Sequence, residues 1–270
     1  DIEEKTNIGV SIDGGAEKTY SNVQGIVNIS PQGLSDGFHT LKVSKLTSGS
    51  QLIINGLFIE KDATLSPVAK KDKTIQFIGD SITAATNSYS YKVPTILGMD
   101  YSIIAYPGMS LVNGRGWYTL DIDGWNYSMR RGMESAYFHT QTATELNPTL
   151  WTFADESPDI IVINLGTNDY FNNDTQTQEF ITAYINFVRN IRQVHTQADI
   201  YVVRPFREVE TMNNAVLSAA NTLMAEDEKV FYIDTAGWNI NVQSDGIHPT
   251  DSGYTTAAAK FIEALGLDLN

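Results

Sequence analysis

The chain has 270 residues, 42% hydrophobic and 19% charged, a composition that is globular rather than disordered and allows one large or two unequal domains. Its 32 acidic against 18 basic residues leave a formal net charge of −14, which argues against nucleic acid and anionic membrane surfaces as partners. The absence of cysteine removes disulfides, thiolate metal sites and cysteine nucleophiles, and no apolar stretch approaches the roughly 18 residues of a spanning helix.

Residues 1–70 carry short apolar-alternating runs at 8–12, 25–29, 39–43 and 52–59. Between them lie turn signals: Asp13-Gly14-Gly15, Pro31-Gln32-Gly33 and Ser35-Asp36-Gly37. Regular short strands with such turns predict a small antiparallel β-sandwich, jelly-roll-like, as an accessory domain over 1–70. The charged run Lys70-Lys71-Asp72-Lys73 marks its boundary with a second domain over 74–270.

From residue 74 the pattern becomes strand then helix, repeated. Continuous apolar runs at 75–78, 101–105, 160–165, 200–204 and 230–233 predict strands buried on both faces. Helical spacing predicts helices at about 88–98, 176–195, 211–226 and 251–266. Alternating units of this kind predict an α/β domain, a parallel sheet between two helix layers, with ligands bound beyond the carboxyl ends of its strands. Residues 106–151 interrupt the pattern with a long insertion rich in Gly and aromatics, among them Trp117, Tyr118, Trp125, Tyr127, Tyr137, Phe138 and Trp151. A loop of that length is functional or holds small elements of its own. Its rings either face a sugar or form a satellite core.

Two segments carry chemistry. Ser81 follows the first strand of the second domain, in Gly79-Asp80-Ser81-Ile82. Far downstream, Asp245-Gly246-Ile247-His248 supplies a carboxylate and an imidazole. A serine hydroxyl is a weak nucleophile until a neutral imidazole takes its proton, and a carboxylate beside that imidazole fixes its tautomer. Ser81, His248 and Asp245 are thus candidates for nucleophile, base and orienting acid. Asp234, after the last strand, is a rival orienting acid. Asp80 and Asp169 flank the candidate residues and are read as turn-tying carboxylates that accept backbone N–H groups.

Two further blocks stand between these segments: Ala105-Tyr106-Pro107-Gly108 and Leu165-Gly166-Thr167-Asn168-Asp169. With all four in order, residues 74 to 270 resemble the SGNH/GDSL hydrolase superfamily, named for a Ser, a Gly, an Asn and a His in separated blocks. The resemblance implies a three-layer α/β/α domain and an oxyanion hole made by the backbone N–H of Ser81, the backbone N–H of Gly108 and the side-chain amide of Asn168. A sandwich module ahead of such a domain resembles carbohydrate esterase family 2, whose members remove acetyl groups from plant polysaccharides. That family often lacks the orienting acid, whereas this chain has Asp245.

The expected activity is a serine esterase that deacetylates carbohydrate, with a lipid or short-chain acyl esterase as the alternative within enzymes. A catalytically silent carbohydrate-binding protein on the same scaffold is the alternative outside them. Trp117, Trp125 and His139 are candidate substrate contacts, while His39 and His195 read as structural. Arg115, Arg130, Arg131 and Arg204 read as partners of carboxylates. No cofactor or metal is implied, the expected partner is a small-molecule or polysaccharide ester, and a monomer is expected. Sequons at Asn28, Asn126 and Asn173, together with a first residue other than Met, point to a secreted glycoprotein.

Overall fold

The computed structural model describes residues 1–46, 52–115, 131–140 and 148–267. The chain divides into two compact units, Asp1–Lys70 and Lys71–Asn270.

The N-terminal unit is an antiparallel sheet in the order β2-β1-β3, with β1 at Ile2–Ile12, β2 at Lys18–Gly25 and β3 at Leu41–Lys45. Ile2, Ile8 and Val10 of β1 are buried against Tyr20, Val23, Leu41 and Val43. The turn after β1 places Asp13 and Gly14 at positive φ. The Asp13 carboxylate accepts from the Thr40 N–H (2.8 Å) and pairs with His39 Nδ1 (2.6 Å), so His39 is part of the turn. Among the described residues this is one sheet. The runs expected as strands at 25–29 and 52–59 are irregular after Gly25 and make a single bridge, Ile2 to Ile54. The bridge rests on two hydrogen bonds, Glu3 N–H to Ile53 O and Asn55 N–H to Asp1 O.

The second unit is a parallel sheet of five strands in the order β5-β4-β6-β7-β8. The strands are β4 (Thr74–Gly79), β5 (Asp100–Ala105), β6 (Ile160–Asn164), β7 (Asp199–Val203) and β8 (Val230–Ile233). Ile161 and Ile163 of β6 face one way, with Ile200 and Val202 of β7. They pack on α4 (Asp174–Val194) and α5 (Glu210–Glu226) through Phe180, Tyr184, Phe187, Val216 and Leu223. Ile75, Phe77, Ile160 and Val162 face the other way, onto α2 (Tyr89–Leu97) and α6 (Asp251–Ala264) through Tyr89, Val93, Ala257 and Phe261. Each of these large side chains stabilises by roughly 1.5–3 kcal/mol when fully buried. Two short elements escape the sequence pattern, α1 (Ser81–Ala84) and α3 (Met133–Ala136).

Strand register sets where the loops emerge. Gly79 is level with Ala105 on one side and with Asn164 on the other. Three adjacent strands therefore end on one line. Ser81, Gly108 and Asn168 lie two, three and four residues past those ends.

The end of β4 is crowded. A Cβ on Gly79 would strike the Thr83 side chain and lie 3.0 Å from Asn164 O. Thr83 cannot swing away freely, because its hydroxyl bonds the buried Tyr89 hydroxyl at 2.6 Å. Gly79→Ala should therefore lower stability by about 1–3 kcal/mol. Equilibrium urea unfolding measures it, and a midpoint equal to the wild type's would show that the turn has slack.

Candidate active site

Asp80 caps α1: its Oδ1 accepts from Ile82 N–H at 2.9 Å. That cap turns the chain sharply off the end of β4 and points the Ser81 hydroxyl along the strand-end edge. His248 arrives from the loop between β8 and α6, which Thr250 starts as helix by accepting Gly253 N–H. Ser81 Oγ lies 2.7 Å from His248 Nε2. His248 Nδ1 lies 2.7 Å from Asp245 Oδ2. A carboxylate can only accept, so Nδ1 carries the ring proton and Nε2 is left to accept from the serine.

Asp245 also accepts the backbone N–H groups of Ile247 (2.9 Å) and His248 (3.0 Å) through Oδ1. The hydrogen bond from the His248 ring, aided by those two, holds its carboxyl down to about 2. It therefore faces the imidazole as an anion across the working pH range. Asp234 does not compete for that place: it accepts Ala236 N–H and lies 3.7 Å from Arg204 Nε.

Gly108 is the third residue of a Pro-Gly turn closed by Met109 N–H to Tyr106 O at 3.1 Å. Its φ of +75° is the value a type II turn requires there, which a side chain would resist. Neither the Gly108 nor the Ser81 N–H meets an acceptor among the described residues. Two free donors thus stand just past the level ends of β4 and β5. Asn168 differs. Its Nδ2 lies 3.1 Å from both Asp80 Oδ2 and Met109 O, so both amide protons are engaged. In this resting geometry Asn168 is a brace between the serine turn and the glycine turn. To meet a third acceptor it must release one of them.

Asp169 completes the brace. Its two oxygens accept Leu111 N–H (2.8 Å) and Val112 N–H (2.9 Å), fixing the segment that follows Gly108. Burial pushes the Asp169 carboxyl up to about 7 and that of Asp80 up to about 6. Both tie turns, as their positions beside the motif residues suggest.

Of the candidate substrate contacts, Trp117 and Trp125 lie outside the described residues, as do Asn126 and Arg130. His139 Nδ1 donates to Ser135 O, and no hydrogen bond joins it to the Ser81–His248 pair. Tyr137, Phe138 and Trp151 pack with Phe153 and Phe187, so the described rings of the insertion form core. Arg115 pairs with Glu179 and Arg204 with Glu208. His195 is buried against the Tyr137 hydroxyl at 2.9 Å. No sequence motif marks a cavity of about 200 Å³ beside Asn168, past the ends of β6 and β7, lined by Tyr170 and Arg207 among others. Its position beyond the strand ends was the available signal.

The family model for GDSL-like lipases and acylhydrolases matches residues 75–261. The cellulase/esterase CelE of Acetivibrio thermocellus is 28% identical over 192 residues, 63% of this chain and 22% of that protein, so the chain spans about a fifth of this relative's length. A family two carbohydrate esterase from Clostridium thermocellum, solved in complex with cellohexaose, has a TM-score of 0.73 at 21% identity, over 98% of this chain and 87% of that one. An acetyl xylan esterase from the rumen bacterium Butyrivibrio proteoclasticus has a TM-score of 0.70 at 16% identity, over 98% and 85%. At these identities the likeness to the solved structures is one of fold.

Asp169 gives the site a pH signature in stability. Its folded carboxyl titrates near 7, against 3.8 ordinarily. Between those values the folded protein holds a proton that the unfolded chain releases, so unfolding free energy falls as pH rises through that window. In Asp169→Asn this fall should be smaller than in the wild type. Denaturant unfolding of both proteins at several pH values from 4 to 8 measures the difference, and parallel profiles would mean that Asp169 does not titrate there.

Proposed function

This chain belongs to the GDSL-like lipase and acylhydrolase family, and from that premise we propose that it hydrolyses carboxylic esters, acetyl esters of carbohydrate in particular, through an acyl-enzyme on Ser81. The observation that carries the reading is the unbroken relay Ser81–His248–Asp245, with 2.7 Å at each step.

Ser81 Oγ attacks the ester carbonyl carbon while its proton passes to His248 Nε2. The imidazolium that forms is stabilised by the Asp245 anion across the Nδ1 hydrogen bond. The carbonyl oxygen becomes an oxyanion between the N–H groups of Ser81 and Gly108. Each such donor lowers the barrier by roughly 3–4 kcal/mol, because it is fixed before charge develops. Asn168 becomes a third donor if it releases Met109 O. Collapse of the intermediate expels the sugar alkoxide, which takes the proton from His248. Water then gives a proton to His248, attacks the acyl carbon, and the same donors hold the second oxyanion. Acetate leaves and Ser81 recovers its proton.

The choice of carbohydrate is supported by relatives named as carbohydrate esterases, one of them holding cellohexaose. Polysaccharide lies outside cells, so a secreted protein is part of the same proposal. Among the described residues no helix is long and apolar enough to cross a membrane. Asn28 and Asn173 are exposed sequons, and Asn173 also caps α4 by accepting Gln176 N–H.

Ser81→Ala and His248→Ala should each lower kcat on p-nitrophenyl acetate by about a thousandfold or more. Asp245→Ala should lower it by less than either, since water can take part of the place of the half-exposed carboxylate. Acetylated xylan and mannan oligosaccharides should be turned over faster than p-nitrophenyl esters of eight or more carbons. A preference for the long acyl chains would replace the carbohydrate reading by a lipid one. Equal, negligible turnover by wild type and Ser81→Ala would leave a binding protein.

A further inference from the structure

Arg207 stands in an unusual electrostatic position. The chain has 18 basic residues against 32 acidic ones, and Arg115, Arg189, Arg192 and Arg204 each hold a carboxylate. Arg207 holds none. Its backbone carbonyl accepts from Val209 N–H and from the Asn213 amide, but among the described residues its guanidinium has no partner. The neighbouring carboxylate of Glu208 is turned to Arg204, at 2.5 Å. Arg207 is nevertheless half-buried, because it lines the cavity past the ends of β6 and β7.

That cavity has the size and address of a substrate subsite. Its volume of about 200 Å³ is on the scale of one sugar ring, smaller than a drug-sized pocket. Gly166 and Thr167 reach it from the same loop as Asn168, and Pro205 and Met212 give it apolar wall. Asn168 in turn touches the carboxylate beside Ser81. The cavity therefore opens past the same line of strand ends as the serine turn. Tyr170, 58% exposed, is an aromatic face at its rim. The Asp169 carboxylate also lines it, but both oxygens are saturated by backbone N–H groups, and burial favours its neutral form.

We infer that the cavity is a subsite for a carboxylate-bearing sugar, a uronic acid residue of the acetylated oligosaccharide, with Arg207 taking the carboxylate and Tyr170 covering the ring. The inference deepens the carbohydrate-ester reading and rests on it for the rest of the substrate. Guanidinium and carboxylate meet in two parallel N–H···O bonds, so an arginine without a partner is suited to this one group on an otherwise neutral polymer.

Binding and turnover test the subsite and the esterase separately. Calorimetry on Ser81→Ala uses three unacetylated probes: a xylo-oligosaccharide with a glucuronate branch, an oligogalacturonide and a plain xylo-oligosaccharide. At least one acidic probe should bind about tenfold more tightly than the neutral one. Adding Arg207→Gln should abolish that preference, Arg207→Lys should restore part of it, and added salt should erode it. On otherwise native protein, the kcat/KM ratio for acidic over neutral acetylated oligosaccharides should fall about tenfold in Arg207→Gln. Equal binding of all three probes, or a preference that survives Arg207→Gln, overturns the subsite while ester hydrolysis stands. An Arg207-dependent preference in a protein that hydrolyses no ester keeps the subsite and overturns the esterase.

Discussion

One hydrogen bond, Ser81 Oγ to His248 Nε2, joins positions 167 residues apart, and the rest of the structure exists to keep it short. Neither side chain could hold that distance alone. Ser81 is set by the end of β4, whose residues are buried on both faces between two helix layers. His248 is set by the start of α6, which packs through Tyr254, Ala257 and Phe261 on the same layer as Tyr89 of α2. Tyr89 lies directly behind the serine turn. Its hydroxyl meets Thr83 and accepts from Asn164, so the turn, the helix after it and the neighbouring strand share one buried polar knot. A displacement in either helix layer reaches the relay through Tyr89 and Phe261, which stack at 4.5 Å between centroids.

Three carboxylates serve this site, and their surroundings divide the work. Asp245 is half-exposed and ringed by donors, so it is held ionised and can steady a cation. Asp80 and Asp169 are buried, which pushes both carboxyls up. They act on geometry through the backbone and amide groups they accept. Asp80 fixes the serine turn and Asn168, and Asp169 fixes the segment after Gly108. The two free N–H groups are thus held in place from behind, as electrostatic stabilisation of developing charge requires.

The α/β unit was legible because both-face burial leaves a plain mark. The runs at 75–78, 160–165 and 200–204 have no polar alternation to confuse them, and the structure has strands there within a residue or two. Ser81 and His248 were legible as motif residues, but the motif is silent on what their neighbours accept. Asn168 shows the limit: its residue type is visible in sequence, while the engagement of both amide protons depends on where Met109 O lies, 59 residues away. The strands expected at 25–29 and 52–59 show the same limit: alternation shows that a segment could cover a core and is silent on whether it pairs. Arg207 was invisible as a candidate because absence of a partner is a property of three dimensions. The aromatic insertion read as both cleft and core; Tyr137 and Trp151 belong to core because Phe153 and Phe187 come up beneath them.

The net charge of −14 and an arginine subsite act at different ranges. At physiological ionic strength charges are screened beyond about 8 Å, so the overall field repels an acidic polymer only weakly on approach and strongly at low salt. Contact with Arg207 is shorter than that length and is felt only once the ring has entered. Selection for a uronic acid here consequently lies in how long the complex lasts and not in how fast it forms. Added salt should speed association with an acidic oligosaccharide by screening the field, while it also hastens dissociation by weakening the guanidinium–carboxylate pair. A rise of both rate constants with salt is the kinetic mark of a local cation on an acidic surface. A basic surface that steered its substrate would instead lose association rate as salt rose.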